Sequence, residues 1–517
     1  MKQRSVTIHH PVGICSLAVS FPSTIRTNDY WLAKYPQLAK VEPRRARQQR
    51  HSPTSDTFTN NGLDIWSQAV APYLADPFRG NVERRVLGAD ESALTLEVRA
   101  AREALTAANL APTEVELAIA SSLFSEQITL GHATYLAQQL ELHCPAWNLE
   151  STCSSALVAL QNACALVQAG AYRNVLVVVS QIGSQAVAEE DTLSRSMGDG
   201  AGAFVVSSLQ PQQGILGMKI VPTTSTCGAY SYELVADAQG KPRICTRTGE
   251  NASALAETAV DFVRTCCKGA VAAANLTLDR IDFFAFNAPT AWYTSVCARA
   301  LDIPPERTID LYPRYANIGP VLPLANLYHA AQEGKIREND LVLVYTNGAA
   351  ATAAATVMRW GDVALGAAPT PPIDVTHTNL VLWHDSNLDR DNRLVVSNEK
   401  LVGLSRETLL ATKSAQRHQI LQSYVLEWLA HSLQLPLTQL NPQQSLVSLL
   451  DSLLAVALKS RIESDLAVRV PMEKFIGNNT IAHLAEFVLY QLALTDLVTS
   501  KPIVATEGNE KREQLSI

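Results

Sequence analysis

The stretch Ser151-Thr152-Cys153-Ser154-Ser155-Ala156 is the part of this chain best equipped for covalent chemistry. A cysteine at the turn from a strand into a helix is faced by backbone N–H groups and by the positive end of the helix dipole. That setting favours thiolate over thiol and lowers a thiol pKa by more than about one unit. A thiolate is a nucleophile, and the intermediate it points to is an acyl thioester. The plainer reading is a buried cysteine at the start of a core helix, and the hexapeptide taken alone leans that way.

The neighbouring elements must hold that cysteine. Cys144–Leu149 is apolar and reads as a buried strand, and Ala156–Ala169 as a long helix of small residues. Before them, Val12–Phe21 reads as a strand, Glu91–Asn109 as a helix, Glu116–Ser121 as a short buried strand and Thr129–Glu141 as an amphipathic helix. After them, Val175–Val179 is a pure Val/Leu run, the mark of a strand covered on both faces. Gly198-Asp199-Gly200-Ala201-Gly202-Ala203 reads as a turn where another backbone or a ligand comes close, ahead of the strand Phe204–Val206. It is no dinucleotide fingerprint, because its glycines precede a strand and open no helix.

A similar alternation follows. Glu257–Ala274 is a helix, Phe283–Phe286 a buried strand, Asn287–Thr290 a turn, and a helix runs on through Ala300. A helix at Leu324–Gly334 and strands at Leu341–Tyr345 and Thr356–Trp360 complete a second half. The alternation predicts a layered α/β fold, with a weak suggestion of internal duplication. Ala367–Pro372 reads as a linker. Beyond two short strand-like pieces, Asn379–Trp383 and Arg393–Ser397, three helices are expected at Gln419–Leu433, Leu453–Leu466 and Thr480–Leu492. They make a small bundle, followed by a polar tail from Thr499.

Composition narrows the partners. The chain has 517 residues, a net charge of −7 and 47% hydrophobic residues. That charge speaks against nucleic acid or an anionic membrane as the main partner. No apolar run is long enough to span a bilayer and the start lacks a signal peptide, so a cytoplasmic protein is expected. The nine cysteines form no C-x-x-C pair, so neither a disulfide framework nor a metal site is expected. The basic cluster Arg44-Arg45-Arg47-Arg50 lies in a polar insertion, about 32–83. It reads either as a contact for coenzyme phosphates or an acidic carrier protein, or as a solvated face, and the second is favoured.

Residues 10–362 resemble β-ketoacyl-ACP synthase III, a thiolase-fold condensing enzyme. The matches are Cys153 at a strand-to-helix turn, the Gly198–Ala203 motif downstream, Ala316-Asn317 after a strand and Gly334-Lys335-Ile336-Arg337 before the strand at Leu341, in order and at the expected spacing. Residues 414–495 resemble an acyl or peptidyl carrier protein, through Leu450-Asp451-Ser452-Leu453, Ile462-Glu463, Val468–Pro471, Asn479-Thr480-Ile481 and Leu484-Ala485. The resemblance implies a duplicated α/β/α/β/α thiolase-like domain over 1–362, a linker over 363–413, an all-α carrier domain over 414–497 and a tail over 498–517. It also implies a homodimer, 4′-phosphopantetheine on Ser452 placed there by a phosphopantetheinyl transferase, and acyl-CoA or an acyl-carrier protein as donor. Other enzymes of a polyketide, fatty-acid or mixed-peptide assembly line are the implied partners. Without the modification, Asp451-Ser452 is an ordinary helix cap. The glycine usual before the Asp-Ser pair is missing and the loop is one residue short, which bears on which modifying enzyme accepts it.

The family uses Cys, His and Asn. Cys153 matches the first and Asn317 the last, but Asn287 stands where the histidine belongs. His329 lies in a helix beyond Asn317 and reads as packed or surface-facing. An amide donates a hydrogen bond to an oxyanion but takes up no proton near neutral pH. Asn287 and Asn317 are therefore expected to share an oxyanion hole without supplying a general base. Acyl transfer between thiols needs least from such a site. Decarboxylative Claisen condensation is the alternative, and an inactive docking module for the carrier is the third reading. The run Ala349-Ala350-Ala351, where the family tends to have glycines, predicts an altered pocket.

Overall fold

The computed structural model describes residues 11–36, 38, 62–74, 76–127, 130–189, 191–236, 240, 242–370, 404–433, 435–446, 449–450, 452–475 and 479–499. It divides into two compact units, with the boundary between residues 394 and 395. The strands are β1 (Val12–Ser20), β2 (Thr24–Thr27), β3 (Glu83–Val86), β4 (Leu117–Leu123), β5 (Ala146–Asn148), β6 (Val175–Ile182) and β7 (Asp199–Ser208). They continue as β8 (Gly214–Pro222), β9 (Tyr230–Ala236), β10 (Pro242–Thr248), β11 (Phe283–Phe286), β12 (Leu341–Asn347), β13 (Thr352–Arg359) and β14 (Ala364–Leu365). The helices of the first unit are α1 (Asn28–Lys34), α2 (Gly62–Val70), α3 (Ala93–Ala107), α4 (Ala133–Gln139), α5 (Ser155–Gln168), α6 (Ala254–Glu257), α7 (Ala259–Ala273), α8 (Tyr293–Leu301), α9 (Tyr312–Tyr315) and α10 (Leu322–Gln332). The second unit holds α11 (Arg406–Ala411), α12 (Ser414–Leu433), α13 (Ser452–Leu466) and α14 (Ile481–Thr499).

Two sheets dominate the first unit, ordered β14-β1-β7-β6-β4-β5 and β11-β12-β13-β8. Helices α5 and α10 lie between them, each touching strands of both sheets. Helix α3 covers the outer face of the first sheet and α7 that of the second. Five layers, α/β/α/β/α, result. The best-covered strands are buried along their whole length, and most of their residues are apolar. All eight residues of β6 and all four of β11 are buried. Helix α3 starts where expected, because Ser92 caps it, its Oγ accepting the Thr95 N–H at 3.1 Å.

Three expectations need correction. The apolar run Cys144–Leu149 yields only the three-residue β5, which lies at the edge of its sheet with Trp147 39% exposed. The Gly198–Ala203 motif is no turn, since Asp199 to Ala203 already belong to β7. Close approach was the sound half of that reading. A Cβ on Gly198 would stand 2.1 Å from the Tyr315 carbonyl oxygen, so glycine is there to let two backbones meet. Asn317 follows the short helix α9, not a strand, and joins β7's approach through a bridge to Met197. The hairpin β9–β10 and the β2–β3 pair had no counterpart in the sequence reading.

The second unit is a helical bundle whose core includes Leu409, Leu421, Val425, Leu458, Ile462, Phe475, Leu484 and Val488. Thr480 caps α14, its Oγ1 accepting the His483 N–H at 3.2 Å. Packed structure reaches into both ends of the segment read as linker, with β14 paired to β1 and Leu409 of α11 in the bundle core. The Arg44–Arg50 cluster, the pieces 379–383 and 393–397, and the tail from residue 500 lie outside the described residues. Among the described residues no helix is long and apolar enough to cross a membrane.

Candidate active site

Cys153 sits in a short 3-10 turn, Thr152–Ser154, that runs directly into α5. Hydroxyls pin this turn to β12 and β13. Ser154 Oγ donates to the Thr352 carbonyl at 2.7 Å and accepts from Thr346 Oγ1 at 2.9 Å, while Ser151 and Thr352 hydroxyls meet at 2.7 Å. The turn at 348–351, which joins those two strands, also presses on it. A Cβ on Gly348 would stand 2.4 Å from Thr152 Oγ1, which is why this one position of the alanine-rich turn is still glycine.

Three residues around the site hold left-handed backbone without being glycine: Thr152 (φ 50°), Ala316 (φ 58°) and Ala350 (φ 54°). Each costs on the order of 1–3 kcal/mol, and such strain persists only where the surroundings over-determine it. Two of them flank Cys153 and Asn317 directly, and the third lies in the turn against Thr152.

Cys153 is half-buried. Burial pushes its thiol up to about 11, with its own backbone N–H pulling the other way. This reverses the expectation of a thiol lowered by a helix start. No charged side chain contributes to the shift, so desolvation governs. At neutral pH the resting sulfur is a thiol.

Asn287 follows β11 at the place foreseen. It is 1% exposed, and its Nδ2 donates to two carbonyls, Gly319 O at 2.7 Å and Cys153 O at 3.3 Å. Both amide hydrogens are therefore engaged, and Oδ1 is left buried without a partner. In this arrangement Asn287 braces the main chain of Cys153, and the amide hydrogens that the sequence reading expected to face an oxyanion are given to the Cys153 and Gly319 carbonyls. Its amide cannot be turned round, because that would set Oδ1 against two carbonyl oxygens.

Asn317 is held at every main-chain atom that can bond. Its N–H donates to Ser196 O at 2.9 Å, and its carbonyl accepts from Gly198 N at 3.1 Å and Gln181 Nε2 at 2.7 Å. Its Oδ1 accepts from the Gly319 N–H at 2.9 Å, which fixes the amide. No acceptor among the described residues takes its Nδ2 hydrogens. Gly319 thus links the two amides, accepting from one and donating to the other.

Two buried histidines are engaged with other side chains. His329 is 4% exposed and its Nε2 meets the Tyr315 hydroxyl at 3.0 Å; burial, with Arg85 nearby, pushes its pKa down to about 4. His132 is held between Glu97 at 2.8 Å and Glu126 at 3.0 Å. Burial opposes its charge, but the two carboxylates prevail and hold its pKa up to about 9.

The sequence reading did not single out Tyr230 and Tyr232 of β9. Burial raises both phenols, and the Cys153 thiol adds to the effect in each. The available signal was the alternation Tyr230-Ser231-Tyr232-Glu233-Leu234, which marks a strand with one apolar face.

In the second unit Ser452 is the first residue of α13, fifteen residues long. A helix start suits the negative phosphodiester of a phosphopantetheine arm. Asp451 and the side chain of Ser452 lie outside the described residues.

Comparison with known proteins covers both units. The family description 3-oxoacyl-[acyl-carrier-protein] synthase III matches residues 147–222, and that of its C-terminal part matches 271–360. The phosphopantetheine attachment site description matches 423–488. The β-ketoacyl-ACP synthase III of Aquifex aeolicus is 27% identical over 285 residues, 54% of this chain and 89% of that protein. The enzyme of the same name from Microcystis aeruginosa is 29% identical over 278 residues, 52% and 83% of the two chains. Among solved structures, the Aquifex aeolicus synthase III covers 68% of this chain and 100% of its own, with TM-score 0.53 at 24% identity. OleA of Xanthomonas campestris covers 68% and 98%, with TM-score 0.54 at 17% identity. These structures share the thiolase-like fold. The first unit thus carries both parts of a β-ketoacyl-ACP synthase III-like domain, with Cys153 and Asn317 inside the matched parts, and the second unit matches a phosphopantetheine-binding domain.

Proposed function

We propose that Cys153 takes an acyl group as a thioester, from coenzyme A or a carrier protein, and passes it to a phosphopantetheine thiol, that on Ser452 in particular. The observation that carries this reading is the engagement of Asn287. Its amide hydrogens are given to the Gly319 and Cys153 carbonyls, so the place of the family histidine supplies neither a proton acceptor nor a second oxyanion donor.

Thioester exchange balances without an external base. Cys153 Sγ bonds to the carbonyl carbon, the bond to the donor sulfur breaks, and the Cys153 proton leaves with the donor thiolate. The second transfer returns the proton to Cys153 from the accepting thiol. Asn317 Nδ2 is the group left to meet the oxyanion of each tetrahedral intermediate. Phosphopantetheine on Ser452 supplies a thiol at the end of a long arm, and the tether raises its local concentration towards millimolar. By the same resemblance we take acyl-CoA as the donor, a homodimer as the working form and a natural-product or fatty-acid assembly line as the setting.

Decarboxylative condensation with a malonyl-type carrier is the second reading. It is favoured by one observation, the Asn317 amide hydrogens that no described residue accepts, since an enolate oxygen needs such a donor. A pulse–chase separates transfer from a dead-end thioester. The pantetheinylated protein is loaded with deuterated acyl-CoA, freed of excess donor, and digested at intervals. The label is expected first on the Cys153 peptide and later on the Ser452 peptide, with neither labelled in Cys153→Ala. Label that reaches Ser452 in Cys153→Ala contradicts the reading.

A further inference from the structure

We propose that Asp199 is a positioning residue for acyl transfer: its buried carboxylate closes the cradle that holds Asn317 in place to meet the oxyanion. The inference rests on the reading of Asn317 as the oxyanion donor and adds the residue that aims it.

The hydrogen bonds on the Asn317 main chain come from two segments, the end of β6 and the approach to β7. Its N–H donates to Ser196 O at 2.9 Å, and its carbonyl accepts from Gly198 N at 3.1 Å and from Gln181 Nε2 at 2.7 Å. The two strands pair only as far as Ile182↔Asp199. Past that rung β6 runs into the 3-10 turn Gly183–Gln185, while the chain ahead of β7 comes from a second 3-10 turn, Thr192–Ser196. One main-chain bond, from Gly183 N to Gly198 O at 3.3 Å, still joins the two segments there.

Asp199, the one charged residue of the Gly198–Ala203 motif, supplies the closure that the ladder lacks. It is fully buried, and its carboxylate accepts three hydrogen bonds. Oδ1 takes the Ser184 N–H at 2.8 Å, and Oδ2 takes the Ser184 hydroxyl at 2.6 Å and the Leu87 N–H at 2.8 Å. The side chain next to Gly198 therefore grips the residue next to Gly183, and ties both to the chain leaving β3. Three donors converging on two oxygens suit an ionised carboxylate, which is acceptor only. Burial pushes this carboxyl up to about 6, so it is still largely ionised at neutral pH.

Asn317 needs such a cradle because its own backbone approach is strained. Ala316, just before it, holds left-handed backbone at φ 58°. A conformation of this kind relaxes unless its surroundings over-determine it. If 183–184 parts from 198–199, the Gln181 and Gly198 bonds to the Asn317 carbonyl loosen together, and the amide turns with them. An oxyanion donor works only at about 2.7–3.1 Å from the developing charge, and a misplacement of about 1 Å costs on the order of a hundredfold in rate. Asp199 gives its three bonds to main-chain and serine groups of the protein, so its effect on transfer passes through Asn317. It exchanges no proton in the transfer; the Cys153 proton still leaves with the donor thiolate.

The test is a double-mutant cycle on the full chain. Acylation by acetyl-CoA and octanoyl-CoA is read as mass gained by the Cys153 peptide, and alkylation of Cys153 by iodoacetamide, which develops no oxyanion, is the control. Asn317→Ala is expected to lower the acylation kcat about a hundredfold or more. Asp199→Asn sets an NH2 against the N–H of either Leu87 or Ser184, and is expected to lower kcat at least about tenfold with KM nearly unchanged. In the Asn317→Ala background it should add less than about twofold, because the donor it aims is gone. Ser184 is partly exposed, and Ser184→Ala, which removes one of the three bonds, should show the same pattern at about threefold. Alkylation should stay within about twofold of wild type in every variant. Equal fractional losses in both backgrounds, alkylation that falls with acylation, or an unchanged kcat overturns the proposal while leaving Asn317 the donor. Ser184→Ala decides if Asp199→Asn does not fold. Acylation that survives intact in Asn317→Ala overturns the reading of Asn317 and the proposal with it, and a wild-type Cys153 peptide that gains no mass from either donor overturns the reading of Cys153 as well.

Discussion

His132 and His329 are both buried in the synthase-like unit, and their surroundings drive them in opposite directions. His132 has a carboxylate on each ring nitrogen, Glu97 at 2.8 Å and Glu126 at 3.0 Å, and is held charged with a pKa up to about 9. His329, whose only hydrogen-bond partner among the described residues is a tyrosine hydroxyl, is held neutral by burial, with Arg85 adding to it, and its pKa falls to about 4. Neither value lies near the range where a general base works. A buried histidine is therefore a structural ion or a structural imidazole according to its partners, and its presence in a chain says nothing about proton transfer. The place beside Cys153 where a histidine would have acted holds an amide, with both hydrogens bonded to main-chain carbonyls.

The sharpest way to break this contrast is to add a third histidine at that place. Asn287→His is expected to raise malonyl-thioester decarboxylation by about two to four orders of magnitude, measured as carbon dioxide released per Cys153. No increase would mean that the lost proton acceptor is not what separates this site from condensation. Next in size, Glu97→Gln leaves the His132 cation with one carboxylate and disturbs two serine hydroxyls bonded to Glu97. A loss of about 3 kcal/mol is expected in denaturant unfolding of the first unit. The acylation rate of Cys153 should rise about tenfold per pH unit between pH 7 and 9, since a thiol with pKa about 11 gains thiolate at that slope throughout the window. A flat profile would mean that acyl-CoA binding itself activates the thiol.

The smallest effects are in stability against pH. His132 has its folded pKa raised, so its contribution is complete below its unfolded value near 6.5 and fades as pH rises through about 9. His329 has its folded pKa lowered, so its contribution is complete above about 6.5 and fades as pH falls towards 4. The melting temperature of His132→Gln should thus approach wild type as pH rises through about 9, and that of His329→Phe should exceed wild type as pH falls towards 4. At pH 7 His329→Phe is expected within about 1 kcal/mol of wild type, because an aromatic ring of similar size replaces a neutral one.

Much of the fold was legible where burial is two-sided. The Val/Leu run of β6 and the Phe-rich β11 are covered on both faces, and such strands leave an unmistakable apolar signature. Composition alone did not separate a central strand from an edge one, so β5 was read as buried although Trp147 is partly exposed. Nor does a glycine cluster distinguish a turn from a strand crowded by a neighbouring backbone, which is the case at Gly198. At the site, Cys153, Asn287 and Asn317 were legible as positions through family resemblance. Their roles were not, because the direction of an amide and the shielding of a thiol depend on carbonyls and side chains from distant segments. The hairpin β9–β10 is tied down through Ala186 and Ala350, which lie 44 residues before Tyr230 and 120 after it.

The central claim is that Cys153 transfers an acyl group without condensing it. The most direct test gives the pantetheinylated protein an acyl-CoA together with malonyl-CoA labelled at its free carboxyl, and follows labelled carbon dioxide alongside the mass of the Ser452 peptide. Acyl mass on Ser452 that depends on Cys153, with no labelled carbon dioxide above the Cys153→Ala control, is the predicted result. Labelled carbon dioxide released in step with a Ser452 product heavier than the acyl group by a two-carbon unit would contradict it.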